Sequence, residues 1–100
     1  MPNFEWDENK NGKNKVKHNI SFENAKKVFE DDKRLQYAVD RNGERRYITI
    51  GKALKVIITV VYTLRNFAFR LISARPARKD ERERYITNSL TKQDDEYDKE

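Results

Sequence analysis

Phe67-Ala68-Phe69-Arg70-Leu71-Ile72-Ser73-Ala74-Arg75-Pro76-Ala77-Arg78-Lys79-Asp80-Glu81-Arg82-Glu83-Arg84-Tyr85 joins a strand pattern to a helix pattern without a break. Up to Arg75 the residues alternate with the two-residue period of a β-strand. Phe67, Phe69 and Leu71 fall on one face with Ser73 and Arg75, and Ala68, Arg70, Ile72 and Ala74 fall on the other. This alternation assigns both phenylalanines to the core rather than to a base-stacking surface. Pro76 then opens a charge-dense helix from about Ala77 to Asn88, with Lys79–Glu83 and Asp80–Arg84 at i,i+4 spacing. Unpaired N–H groups and the helix dipole favour anions at such a seam. Arg70, Arg75 and Arg78 therefore read either as phosphate ligands or as a solvated surface.

Upstream of this stretch, Arg65-Asn66 supplies a turn. Leu54 to Thr63 is apolar on both faces, the mark of a covered central strand, and Gly51 to Ala53 form the turn before it. Arg45 to Ile50 places Arg46, Ile48 and Ile50 on one face and Arg45, Tyr47 and Thr49 on the other. Asn42-Gly43 is a strong hairpin signal leading back to the alternating Leu35, Tyr37 and Val39.

Before the strands come two helices. Asp7 caps the first, Glu8 to Lys17, which is polar apart from Val16 and weakened by Gly12. Lys15, Lys17 and His18 suit its negative end, and Asn19 terminates it. Ser21 caps the second, Phe22 to Glu30, whose core stripe is Phe22, Ala25, Val28 and Phe29. Phe4 to Asp7 is extended, a candidate extra strand. The fold class is α+β: two N-terminal helices, a twisted antiparallel sheet of about four strands, and a C-terminal helix. Residues 1–90 form a single domain, and residues 91–100 are an acidic tail expected to be disordered.

Composition narrows the chemistry. With no cysteine and one histidine, thiolate nucleophiles, Cys-based zinc sites and multi-His metal centres are excluded. No metal and no cofactor is expected. The longest nearly unbroken apolar run, Val56 to Tyr62, is seven residues, against the ~20 needed to span a membrane. No secretory or lipidation signal is visible, so the expectation is a cytoplasmic protein without membrane contact. The net charge of +5 is uneven. The last ten residues hold two lysines against five carboxylates, −3, which leaves +8 on the first ninety. A basic body suits a polyanion, most simply nucleic acid, although charge alone supports a solubilising surface equally well.

Several motifs together resemble a family. Lys17-His18-Asn19-Ile20-Ser21-Phe22-Glu23 with Val28-Phe29-Glu30-Asp31, then Glu44-Arg45-Arg46-Tyr47-Ile48-Thr49-Ile50-Gly51, then Ile72-Ser73-Ala74-Arg75-Pro76-Ala77 with Glu81 and Tyr85, look like the signatures of BrnT-type toxins. Phe4-Glu5-Trp6-Asp7 matches the family's opening. The order is right from Phe4 to Tyr85. Asn19 replaces the family's helix-terminating glycine, and the tail beyond Asn88 has no counterpart. The resemblance implies a fold similar to RelE-like ribonucleases. It also implies RNA cleavage, translation arrest, neutralisation by a cognate antitoxin, and contact with promoter DNA only as the toxin–antitoxin complex.

Metal-independent RNA cleavage uses the substrate's own 2′-OH as nucleophile, so the protein must align it, stabilise charge and move two protons. Arg75 is the first candidate for phosphate stabilisation, because arginine's planar fork grips two oxygens. Its alternative is an ion pair with Glu81 or Glu44 that holds the C-terminal helix. Arg70 carries the same two readings. His18 is the natural proton carrier near neutrality or a structural residue at a helix end. Glu44 and Arg45 begin a strand and serve as base and cation, or as solubility. Lys17, Arg78, Trp6 and Tyr85 complete the candidates as RNA contacts, with helix packing the first reading for Tyr85, as for Tyr62. The mixed-sign helix Arg78 to Arg84 reads as a solvated face. Three functions stand: an endoribonuclease toxin, a non-catalytic nucleic-acid- or partner-binding module, and a structural adaptor with no nucleic-acid role.

Overall fold

A computed structural model describes residues 3–98, with side chains described to Thr91. The elements are β1 (Asn3–Glu5), α1 (Glu8–His18), α2 (Phe22–Ala25), β2 (Leu35–Arg41), β3 (Glu44–Ala53), β4 (Val56–Arg65), β5 (Ala68–Pro76) and α3 (Lys79–Asp98). The sheet order is β1-β5-β4-β3-β2, with β1 parallel to β5 and every other pair antiparallel. The α+β class and the extra N-terminal strand agree with the sequence. The second helix is shorter than its pattern predicts: after Ala25 the chain tightens into a 3₁₀ helix, Lys26–Glu30, which still buries Val28. α3 runs past Asn88, and the expected disorder of the tail falls on a segment whose side chains after Thr91 lie outside the described residues.

Turn chemistry sets the register. Asn42-Gly43 closes the β2–β3 hairpin with both φ positive (52° and 77°), the geometry that suits Asn-Gly. The other two hairpins adopt the same geometry without glycine. Leu54 and Lys55 close β3–β4 at φ 53° and 69°, and Asn66 and Phe67 close β4–β5 at 52° and 63°. Both turns therefore lie later than the sequence places them. Gly51 is a strand residue, not a turn residue: a Cβ there would stand 2.9 Å from Val28 Cγ2 and 3.0 Å from Arg34 Cβ. Its glycine lets the 3₁₀ helix press directly on β3. Phe67 is likewise outside the strand. It is 100% exposed at the hairpin tip, so its assignment to the core is overturned.

A second correction follows from a β-bulge. Val61 pairs with Ser73 but Tyr62 pairs with Leu71, so Ile72 has no partner on β4. One extra residue in a period-two structure reverses every side chain after it. Ser73 and Arg75 thus leave the face of Leu71, where simple alternation puts them, and join the face of Arg70. Ala74 takes their place in the core beside Leu71.

The two faces of the sheet are built differently. Against one pack α1 and α2, over Phe22, Ala25, Val28, Ile58, Val60, Tyr62, Leu71 and Ala74. Tyr47, Tyr62 and Phe69 stack there in sequence at 5.5 and 5.0 Å between ring centroids, with Phe4 and Phe29 closing the cluster. Burying each such large side chain stabilises the fold by about 1.5–3 kcal/mol. The polar helix α1 joins this face by amide groups rather than apolar contacts. Asn14 Nδ2 donates to the carbonyls of Ala74 (2.7 Å) and Ile20, and its Oδ1 accepts from Ala74 N. Asn11 Oδ1 accepts from Phe22 N, while Val16, the helix's one aliphatic residue, is exposed. Asn14 thereby occupies the backbone edge of β5 beyond the short strand β1. On the opposite face α3 covers Ile50, with Ala77 and Tyr85 and, beside them, Leu35, Tyr37, Ile48 and Ile57.

Candidate functional site

The seam between β5 and α3 is organised by Glu81, which is buried. Arg75 donates to it from Nη1 (2.6 Å) and Nη2 (2.9 Å), Thr59 Oγ1 donates at 3.1 Å, and the backbone N–H of Arg78 donates at 2.8 Å. The last contact is the glutamate half of a capping box at the start of α3. The Arg75 guanidinium, against the opposing effect of burial, holds the Glu81 carboxyl down to about 2, with Arg78 N–H and Thr59 adding to the effect. Glu81 in turn raises the Arg75 pKa further above its ordinary value.

One turn along, Tyr85 is buried, and its hydroxyl donates to Asp31 Oδ2 at 2.6 Å. Burial and then Asp31 push its pKa up. Asp31 also accepts from the backbone N–H of Lys52 and Lys33. Burial raises the Asp31 pKa, but these bonds outweigh it and the net shift is downward. Glu81 and Tyr85 together fasten α3 to the sheet.

Arg75 is engaged on one edge only. Nη1 serves Glu81 and, at 3.4 Å, the carbonyl of Pro76, and Nη2 serves Glu81 once. Of the five guanidinium donors, Nε–H and the second Nη2–H make no hydrogen bond among the described residues. They are the side-on pair that matches two oxygens of a phosphate. Arg75 is therefore structural and available at once, with 23% of its side chain exposed.

The bulge gives Arg75 company. Tyr47 and Tyr62 form the last pair of β3 with β4, and Arg46 is the next residue of β3, on the face of Ile48 and Val61, while Thr63 pairs with Arg70. Arg46 and Arg70 thus share Arg75's face by alternation. Arg46 Nε donates to Glu44 at 3.3 Å, and Arg70 is 3.7 Å from Glu5. Arg65 and Tyr37 share the face by register, and Arg84 lies over the Tyr37 ring at 5.3 Å. Half-buried Ile48, Val61 and Ser73 fill the space between the arginines.

The remaining candidates are elsewhere. Arg45 alternates onto the opposite face, where its Nε donates to Asp40 at 3.1 Å and Asp40 raises its pKa. His18 also lies on that side, in an apolar cavity of about 260 Å³ with Ile20, Leu54, Val56, Ile58 and Pro76. Lys17 is exposed on α1, and Arg78 is exposed at the start of α3. Trp6 packs edge-on against Phe22, and its Nε1 donates to Glu8 at 2.8 Å. The buried Tyr85 ring presents no stacking surface. The structure thus places Arg70, Arg75 and Glu44 on one face, with Glu44 six residues along β3 from Ile50, the residue level with Arg75, and separates them from His18 and Arg45. Arg46, which sequence reasoning passed over for its neighbour, belongs to the group. Its alternation with Ile48 and Ile50 was the signal, but Arg75's side of the sheet depended on the bulge.

A family model described as the ribonuclease toxin BrnT of type II toxin–antitoxin systems matches residues 6–81. The match spans every element from the end of β1 to the capping glutamate of α3. No curated protein matches the chain. The chain belongs to the BrnT family of ribonuclease toxins, and that family implies a cognate antitoxin as partner.

Proposed function

We propose that this BrnT-family chain cleaves RNA without a metal ion, using the arginine face of its sheet to hold the phosphate at which the strand breaks. The observation that carries the reading is the half-engaged Arg75, clamped end-on by Glu81 with its side-on edge open. A donor pair fixed before substrate arrives needs no reorganisation when charge develops, which makes it effective in a transition state. Arg70 and Arg46 extend the contact to neighbouring phosphates.

The ribose 2′-OH attacks the adjacent phosphorus in line, the P–O5′ bond breaks, and the products are a 2′,3′-cyclic phosphate and a 5′-OH. A base takes the 2′ proton and an acid protonates O5′. Glu44, the carboxylate beside Arg46, stands ~20 Å along β3 from Ile50, the residue level with Arg75, so it can serve as base only at a phosphate held by Arg46. Cleavage of messenger RNA in the cytoplasm arrests translation, and the antitoxin silences it. The antitoxin complex is the form that contacts promoter DNA.

Purified protein incubated with RNA tests this, with and without EDTA, beside Arg75→Ala and Arg75→Lys. Cleavage survives EDTA, leaves cyclic-phosphate ends, and falls about 10²–10³-fold in Arg75→Ala, the loss typical of one transition-state donor. Arg75→Lys keeps the charge opposite Glu81 and loses the fork, so it folds and still cleaves poorly. RNA left intact by folded protein in excess rejects the catalytic reading. The competing reading, a non-catalytic binding module, draws on one observation: His18 is on the far side of the sheet from Arg70 and Arg75. Salt-dependent RNA binding without cleavage is its signature.

A further inference from the structure

Arg75 can hold a phosphate but supplies no proton, since a guanidinium stays charged. His18 lies on the far side of the sheet, and Glu44 stands ~20 Å along β3 from Arg75's row. Glu81 is committed: it accepts from Arg75, Thr59 and the Arg78 N–H, and its carboxyl is held down to about 2. Two tyrosines stand on this face among the described residues. Tyr85 is buried and donates its hydroxyl to Asp31 at 2.6 Å. Tyr37 differs. Its half-buried ring packs against the cluster of Ile50 and Tyr85 and lies under the Arg84 guanidinium at 5.3 Å, while its hydroxyl makes no hydrogen bond among the described residues.

Tyr37 also neighbours Arg75's row. Tyr37, Ile48, Val61 and Ser73 form one row across the sheet, and Leu35, Ile50, Thr59 and Arg75 form the next on the same face. Three strand spacings, ~14 Å of sheet, separate the backbones of β2 and β5. The side chains narrow that gap. Arg75 reaches over β4 to the carboxylate that also binds Thr59, and Tyr37 packs against Ile50 of β3. The two groups are close enough to interact electrostatically. The floor between them is half-buried Ile48 and Val61.

We infer that Tyr37 is the acid that protonates the leaving O5′ at the phosphate held by Arg75, with Arg84 as the positioning residue for its ring. The inference rests on the RNA-cleaving reading and adds a proton donor to it. As the 2′ oxygen bonds to phosphorus, its proton passes to solvent water. The P–O5′ bond breaks with its electron pair on O5′, and the Tyr37 hydroxyl proton moves there. The tyrosinate then regains a proton from water. Phenols keep their proton at neutral pH yet release it more readily than an alcohol does, and nearby cations such as Arg84 and Arg75 favour the anion as it forms.

The test compares natural RNA with RNA carrying sulfur in place of the scissile O5′, whose thiolate leaves without being protonated. Tyr37→Phe keeps the ring under Arg84 and removes only the hydroxyl. On natural RNA it lowers kcat about 10²–10³-fold with little change in KM, within the range for one acid–base group. On the 5′-thio RNA it cleaves as wild type does. Arg84→Ala loses about tenfold on natural RNA and is restored in the same way. Arg75→Ala stays slow on both substrates, because the phosphate still needs its charge stabilised. An equal loss on both substrates marks Tyr37 as structural and overturns the inference. A raised KM with kcat unchanged assigns Tyr37 to substrate binding and overturns it too. A wild type that cleaves neither substrate rejects this acid and the RNA-cleaving reading together. A wild type that cleaves both while Tyr37→Phe matches it rejects the acid alone.

Discussion

The two faces of the sheet solve the same problem by different physics. On one, Phe22, Val60, Leu71 and Tyr62 are buried among aromatic rings, and stability comes from apolar area and packing. On the other, α3 is fastened by two polar clasps, Arg75–Glu81–Thr59 and Tyr85–Asp31, and arginines line the rest. An apolar contact is consumed in holding the fold together. A guanidinium has donors to spare, so Arg75 can anchor a helix and still present an open edge. The polar face is therefore where binding chemistry and structure can share residues.

The largest expected effect tests the packed face. Phe22→Ala removes a fully buried ring and costs about 3–5 kcal/mol in denaturant unfolding, independent of salt, while RNA cleavage per folded molecule stays at the wild-type level. A drop in cleavage by the folded fraction would show that the two faces are not separable.

The next effect belongs to the clasp. The Glu81 carboxyl titrates at about 2 in the folded protein against an ordinary value of 4.5, so the folded pKa is depressed. Its stabilisation is present above pH ~4.5 and is lost as pH falls toward ~2. The loss is about 2 kcal/mol, below the full linkage value because Arg75 is partly solvated. The depressed Asp31 carboxyl acts in the same direction. Urea unfolding across this window shows the decline, and Glu81→Gln flattens most of it at the cost of lower stability at neutral pH.

The smallest effect separates neighbours. Arg46→Ala weakens RNA binding about five- to tenfold and lowers the slope of log affinity against log salt by about 1, as expected for one phosphate contact. Arg45→Ala, on the opposite face beside Asp40, changes affinity by less than about twofold. Equal losses from the two would dissolve the distinction between faces.

Much of this was readable beforehand. The Asp7 and Ser21 caps, the Asn19 terminator at φ 58° and the Asn42-Gly43 hairpin all act locally, within a few residues, and the structure has each of them. Arg75's pairing with Glu81 was one of its two readings, and the geometry shows how it accommodates the other. What escaped was non-local. Gly51 looks like a turn glycine until Val28 and Arg34 are packed against it. Phe67 looks like core until the Asn66-Phe67 turn slides one residue along. Arg45 and Arg46 are adjacent and chemically alike, and only the pairing with β4 tells which shares a side with Arg70.

The sequence by itself determined the kinds of element, their order, the apolar stripe of the second helix, a basic body and the BrnT-type signature, because periodicity, capping and composition are properties of neighbouring residues. Tertiary structure decided which arginines stand together. Side chains in a strand alternate, so the one unpaired residue at Ile72 turns Ser73 and Arg75 to the other side of the sheet, and that bulge exists only in the pairing of β5 with β4.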